Sequence, residues 1–400
     1  MKKPLLLWHR WFGIIGGIWL LLIAVTGSIL VFYQELDRAF NPQLFHASST
    51  QPDGTQWRIA AAIAAAEATI PGAMASYTRL PAAAGETLIV NLVDRPGHAG
   101  AVGPRGREVF VDPVTAQVTG SRVWGAPGLA PSQFMPMLYR LHYALLAGAT
   151  IEWLLGLVAL AWLVDHVAAV PLALRTVQRW PDALRIRLAA RGHRRIFDLH
   201  RAGALLLLPI TAMLAFTGVY FNLNSEFRTV LALVSPPSAN AGDTRPALPR
   251  PLIVPPVNAD TALARARSEV LGAAVTGISL DHTRGLWVID VTHPRDPSPD
   301  YGGRSLVVDA RTAAVLADQH FSTGSAADVV MAWQYPLHSG RAFGWPGRLL
   351  VLLAGIVTAL LVITGYRLWW TRWRARHTAA TRRTSAAVAR PAQPAAMPAE

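Results

Sequence analysis

Four long apolar runs set the frame of this chain: Trp11–Tyr33, Trp153–Leu174, Ala202–Tyr220 and Leu349–Trp370. Runs of about 20 apolar residues are long enough to cross the roughly 30 Å hydrocarbon core of a bilayer as helices. The first follows Lys2 and Lys3 and looks at first like a signal peptide. At 23 residues it is longer than a signal h-region, and no convincing small-residue cleavage site accompanies it, so it reads as an uncleaved span. Pro209 predicts a kink in the third run.

The segments between the runs carry a different pattern. Helical periodicity over Gln56–Thr69 is followed by strand-like stretches at Leu88–Val93 and Val109–Val111, a turn at Asp112-Pro113 and a strand near Val118. The same order recurs later: a helix near Thr261–Val270, strands near Val275–Leu280 and Leu286–Val291, then Leu306-Val307-Val308-Asp309. Ser235–Val257 is rich in Pro and Ala and reads as an extended linker. The Arg-, Ala- and Pro-rich end, Thr371–Glu400, is expected to be disordered.

The repetition reaches single residues. Trp8-His9-Arg10 and Leu199-His200-Arg201 each open an apolar run that ends in Thr-Gly, at Thr26-Gly27 and Thr217-Gly218, with 17 residues from His to Thr in both copies. Leu141-His142 precedes the second run and Leu337-His338 the fourth. The expected fold is therefore an α-helical membrane protein, a four-span bundle built from a duplicated two-span unit, with two small α+β domains outside the bilayer. In order, 1–33 is the first span and 34–140 the first outer domain. The segment 141–174 holds an outer His segment and the second span, and 175–195 is a basic loop. The third span falls in 196–224, and 225–337 is the linker with the second outer domain. Residues 338–372 carry an outer His segment and the fourth span, and 373–400 are the tail.

Charge orients this arrangement. The net charge of +13 is concentrated beside the runs: 175–195 holds seven Arg against one Asp, and the tail from Arg367 holds seven more Arg, whereas 34–140 balances eight basic and eight acidic residues. Short basic segments next to spans mark the cytoplasmic side, which predicts both termini inside. That distribution also argues against nucleic acid as a partner. A hydrophobic content of 52% supports the membrane class, and the absence of cysteine excludes disulfides, thiolate zinc sites, covalent c-type haem and cysteine-ligated clusters. No GxGxxG, P-loop or flavin motif is present, so an electron donor's cofactor would come from elsewhere.

The four histidines then fall into two pairs, His9 with His200 at the inner ends of the first and third spans, and His142 with His338 at the outer ends of the second and fourth. Facing imidazoles on bundle helices are what a six-coordinate b-type haem requires. Zinc fits less well, since each pair offers two ligands and no carboxylate at metal spacing. Gly13, Gly16, Gly17, Ala202 and Gly203 leave room for a flat macrocycle, and Arg10 and Arg201 are candidates for its propionates. A single boundary histidine is commonly just an interfacial polar residue; four at repeat-equivalent positions argue for function. At about 1.5 Å per helical residue, the pairs would sit at opposite rims of the core. Asp165-His166 interrupts the second run. Because neighbouring residues do not share a helix face, these two are not a simple pair, and His166 is an alternative inner ligand or part of a quinol or proton site. Glu152 and Arg348 are expected at the outer interface, and Trp369, Trp370 and Trp373 in an aromatic belt. The outer histidines His46, His98, His282, His293 and His320 lack metal-ligand spacing and are expected to be solvated.

Taken as an ordered set, these motifs resemble the PepSY-associated transmembrane proteins: Trp8-His9-Arg10 with Thr26-Gly27, Leu141-His142-Tyr143, Asp198-Leu199-His200-Arg201 with Thr217-Gly218, and Pro336-Leu337-His338-Ser339-Gly340 with Thr364-Gly365. The outer modules ending Val109–Gly120 and Leu306–Ala317 resemble PepSY domains. Family members include bacterial inner-membrane ferric-siderophore reductases with two b-type haems between four helices. The resemblance implies haem ligands at His9, His200, His142 and His338, a ferric siderophore or other ferric chelate as substrate, quinol or a flavoprotein as donor, and a place in the inner membrane with periplasmic outer domains. It departs at Asp165-His166, where apolar or small residues are expected. The rival expectation is a non-enzymatic membrane protein whose PepSY-like domains bind or inhibit a periplasmic peptidase or sense envelope state.

Overall fold

The computed structural model describes residues 2–48, 57–174, 178–187, 189–240, 242–270, 273–293, 296–298 and 303–388. Helix α1 (Lys2–Leu30) contains the first apolar run and is followed by α2 (Tyr33–Phe40) and α3 (Pro42–Phe45). Next come α4 (Ile59–Ala68) and strands β1 (Ala73–Arg79), β2 (Leu88–Asp94), β3 (Arg107–Val111) and β4 (Val118–Val123). Helix α5 (Pro131–Ala144) leads into α6 (Ala149–Leu174), and the third run forms α7 (His193–Leu206) and α8 (Leu208–Asn222), then α9 (Asn224–Ala232). The second outer group is α10 (Ala259–Glu269), β5 (Ala274–Asp281), β6 (Leu286–Thr292), β7 (Arg304–Asp309) and β8 (Val315–His320). Helices α11 (Ala326–His338) and α12 (Gly344–Val388) close the chain.

Three stretches, Lys3–Leu30, Ala149–Leu174 and Arg341–Thr378, are helical, long and apolar enough to cross a membrane; α7 and α8 add a fourth if the 65° bend between them lies within one span. The bend falls at Leu207, two residues before Pro209, whose ring crowds the carbonyl of Leu205 and whose missing N–H removes a rung of the helix. The outward faces are apolar: Ile15, Ile18, Val167 and Leu206 are all more than 60% exposed, while Thr26, Asp165, Thr211 and Thr217 are buried. Apolar outside and polar inside is the arrangement lipid demands.

The chain groups into two compact units. One, made of Met1–Val25, Ala161–Ala212 and Ala354–Glu400, has helices as its only regular elements among the described residues, apart from a short 3-10 turn at Trp180–Leu184. The other, Thr26–Leu160 with Met213–Leu353, carries all the described strands.

Those strands form one antiparallel sheet, in the order β4-β3-β2-β1-β5-β6-β7-β8. The sequence suggests two α+β domains, within 34–140 and 225–337. The structure joins them at the edge, where β1 pairs with β5 through Thr78↔Ile278 and Arg79↔Gly277. Each group of four strands would otherwise leave β1 or β5 with an unpaired ladder, and mutual pairing removes both edges. A single core follows, drawing Ile59, Ala62, Ala66, Leu88 and Val90 from the first group and Ala262, Leu263, Ala266, Ile278 and Ile289 from the second. Alanine on α4 and α10 keeps the helix faces small over the sheet. Asp260 of α10 also accepts the backbone N–H groups of Ile59 (2.7 Å) and Ala60 (3.3 Å), satisfying donors at the start of α4 that its own turn leaves open.

Helix α2 fastens to this sheet through a buried ion network. Arg122 of β4 donates to both oxygens of Asp37, at 2.8 Å each, and to Glu108 at 2.7 Å, and its guanidinium lies over Phe110. Two expectations differ from the structure. Disorder is expected over Thr371–Glu400; α12 continues to Val388, because Ala and Arg are strong helix formers that need no partner to extend an existing helix, and 389–400 lie outside the described residues. The first outer helix is expected from Gln56, which lies outside the described residues; α4 begins at Ile59.

Candidate functional site

The four motif histidines come together as two pairs of neighbouring rings. In the helical unit, His9 of α1 and His200 of α7 have ring centroids 6.2 Å apart at an interplanar angle of 68°. In the sheet-bearing unit, His142 of α5 and His338 of α11 have centroids 6.3 Å apart at 64°. Both of the latter sit in the last turn of their helices, where the carbonyl ends favour an imidazole edge.

One ring nitrogen of each histidine is committed in the same way. His338 Nδ1 lies 2.7 Å from Thr217 Oγ1, His142 Nδ1 3.0 Å from Thr26 Oγ1, and His200 Nδ1 3.0 Å from Thr364 Oγ1. His9 Nδ1 meets the carboxylate of Asp165 instead, at 2.9 Å. The hydroxyl protons fix the direction of two of these bonds. Thr217 donates to the carbonyl of Met213 (2.9 Å) and Thr364 to that of Leu360 (2.6 Å), so each hydroxyl accepts from the imidazole. A carboxylate can only accept. In the neutral rings of His338, His200 and His9 the proton is therefore on Nδ1 and the lone pair on Nε2, the tautomer a metal ligand needs.

The spacing fits an ion held between each pair. A metal–imidazole bond is about 2.0 Å. A five-membered ring with sides of about 1.35 Å has each nitrogen about 1.15 Å from its centroid. Two imidazoles sharing one ion along an axis would thus have centroids about 6.3 Å apart, with rotation about that axis unrestricted. Both pairs meet this separation. Among the described residues no cluster of three or more His, Asp or Glu is placed to hold a metal, so a site of zinc type is not built here.

The Thr-Gly motifs gain a physical role. Threonine supplies the acceptor, and the following glycine lets a ring close onto the helix. A Cβ at Gly27 would lie 2.9 Å from His142 Cε1, and one at Gly365 would lie 3.4 Å from His200 Cε1. Gly218 differs, facing Ala159. Of the residues expected to leave space, Gly13 would meet nothing within 4 Å, whereas Gly17 packs against Val362 and Tyr366, and Gly203 against Val357 and Leu361.

His166 does not face His200. Its Nδ1 donates to the carbonyl of Trp162 at 2.7 Å and its Nε2 lies 2.9 Å from Thr211 Oγ1, so both nitrogens are engaged. Arg201 is turned to the basic loop, donating to the carbonyls of Ala183 (2.9 Å), Arg185 (3.2 Å) and Asp182 (3.3 Å) beside Asp198. Arg10 stacks its guanidinium on Trp11 at 5.3 Å. Arg348 is buried; it donates to the last-turn carbonyl at Val31 (2.8 Å), pairs with Glu35 (2.7 Å) and lies over Trp345. Sequence reasoning singled out Thr26, Thr217 and Thr364 as motif letters without assigning them a partner. Thr26 and Thr217 recur 17 residues after His9 and His200, a signal for those two, whereas Thr364 lies 26 residues after His338 and shares only the Thr-Gly pair.

The chain matches the PepSY-associated TM region over residues 6–372, a stretch that includes all four histidines and their Nδ1 partners. No curated protein matches it. The chain is a multi-pass membrane protein with an antiparallel sheet domain, and it belongs to the PepSY-associated transmembrane family.

Proposed function

We propose that this protein is a di-haem b electron carrier of the bacterial inner membrane that reduces a ferric siderophore or similar ferric chelate on the periplasmic side, releasing Fe2+. In this reading four spans, derived from a duplicated two-span unit, place both termini in the cytoplasm, and the positive charge of the basic loop and tail supports that orientation. Recurrence of the element order α-β-β-β-β and of the His and Thr-Gly motifs supports the duplication.

The observation that carries the proposal is the shared geometry of the two pairs: centroids at 6.2 and 6.3 Å, and each Nδ1 within hydrogen-bond distance of a side chain on a neighbouring helix. When bound, b-type haem supplies one-electron redox chemistry. The protein's part is positional. His9 and His200 would hold one haem and His142 and His338 the other. Thr26, Thr217, Thr364 and Asp165 orient the rings through their Nδ1 atoms. Electrons would come from a quinol, which gives up two electrons and two protons, or from a flavoprotein partner, and each ferric ion would take one electron. Ferrous iron is bound weakly by ligands chosen for the ferric ion, so reduction releases it.

A reduced-minus-oxidised spectrum of the detergent-purified protein, with pyridine haemochromogen quantitation, tests this. Two b-type haems per chain are expected, falling to one in His142→Ala and to one in His200→Ala. Protein lacking b-type haem after expression with adequate haem supply overturns it. Reduction of ferric chelates by the dithionite-reduced protein, followed by Fe2+ trapping, is the next assay.

A further inference from the structure

Asp165 stands where the pattern of the other three sites places threonine. A hydroxyl accepts from Nδ1–H at His200 and His338, and a hydroxyl also meets Nδ1 at His142. At His9 the acceptor is a carboxylate, 2.9 and 3.1 Å from Nδ1 through its two oxygens and only 7% exposed. A carboxylate inside a span is costly, and a neutral threonine would have held the ring. What the carboxylate adds is charge. A charge-assisted hydrogen bond is roughly twice as strong as a neutral one, and a carboxylate behind a ligating imidazole raises its basicity.

We propose that Asp165 makes the two histidine pairs electronically unequal: by drawing the Nδ1–H of His9 it strengthens that imidazole as a donor and lowers the reduction potential of a haem held by His9 and His200 below that of a haem held by His142 and His338. The inference rests on the haem reading above. More donation to the iron favours the ferric state, so the His9/His200 position becomes the one that gives up its electron more readily. With that pair nearer the cytoplasmic donor, the order of potentials favours electron flow outward. Asp165 acts through His9 and is a positioning residue. His166, tied to Trp162 and Thr211, is not needed for the effect.

The test is an optical redox titration of the purified full chain, with low-temperature electron paramagnetic resonance of the oxidised protein. His142→Ala, which should retain the haem of the other pair, assigns the steps. In wild type two steps are expected, the lower belonging to His9/His200. Asp165→Asn and Asp165→Thr should raise the lower step and leave the upper one in place, with haem content unchanged. Thr364→Asp, which puts a second carboxylate behind His200, should lower the same step further. Unchanged potentials in variants that keep both haems would overturn the inference while leaving the haem reading intact. If the Asp165 variants do not accumulate, Thr364→Asp decides alone, and an unmoved lower step overturns it. Absence of haem from wild type overturns both.

Discussion

Thr217 Oγ1 lies 2.7 Å from His338 Nδ1 and passes its own proton to the carbonyl of Met213, so the hydroxyl is an acceptor aimed at the ring. Thr217 is fully buried, and no water replaces it at little cost. Thr217→Val keeps the shape and removes the acceptor. A buried N–H left unpaired costs about 1–3 kcal/mol, and loss of such an outer partner weakens metal sites about 10–100-fold. At limiting haem, Thr217→Val should fall towards one haem per chain by pyridine haemochromogen, while Thr217→Ser keeps two.

Gly27 is where the His142 ring approaches helix α1 most closely. A methyl group there would sit 2.9 Å from Cε1, closer than real contacts allow. Gly27→Ala should displace the ring and lose the same haem as His142→Ala. Gly13→Ala, whose methyl meets nothing within 4 Å, is the control and should keep both. Equal haem content in the two variants would contradict the placement of His142.

The Asp37–Arg122–Glu108 network sets the attachment of α2 to the sheet. Arg122 and Asp37 are both nearly inaccessible. Burial opposes the charge on Arg122, but the hydrogen bond and charge of Asp37, with Glu108 beside it, more than offset that and hold it protonated. Arg122→Met strands two carboxylates. Removing one partner of a buried pair costs about 3–5 kcal/mol, and a lower thermal midpoint of the full chain in detergent is expected. Arg122→Met combined with Asp37→Asn should recover part of the loss, because one stranded charge is gone.

Asp290 of β6 gives the sheet a pH dependence. Burial pushes its carboxyl above the usual range, against hydrogen bonds from Tyr77 (3.1 Å) and Ser305 that pull it down. The folded state therefore holds this proton to higher pH than the unfolded chain does. Stability from this group is full below the ordinary carboxylate value of about 3.9 and is lost as pH rises through the higher folded value. Asp290→Asn should match wild type near pH 4 and exceed it in thermal midpoint at neutral pH. A gap that shrinks as pH rises would refute this assignment.

Much of the architecture is written locally. The apolar runs specify α1, α6 and α12, because length and hydropathy alone decide whether a helix can cross lipid. Strands β2, β3, β6 and β7 follow from β-branched alternation. Strand β1 does not: Ala73-Met74-Ala75-Ser76-Tyr77-Thr78-Arg79 has weak strand propensity and is held by neighbours on both sides. The chain also shows that Asp165 and His166 cannot share one helix face. It does not show that Asp165 turns to His9 and His166 to Thr211, since that depends on which helix each face meets.

The sequence by itself thus determined the membrane class, the places of the long helices, the repeated histidines and the Thr-Gly pairs, because each is a matter of composition or spacing along one helix. Only the tertiary structure decided that the two sets of strands share one sheet, that two hydroxyls and one carboxylate each accept a hydrogen bond from an imidazole Nδ1, and that Thr26 meets the Nδ1 of His142. Those are contacts between residues far apart in the chain, Thr78 with Ile278 and His200 with Thr364 among them. No local periodicity encodes them; they exist because packing brings specific faces together and leaves buried polar groups no other partner.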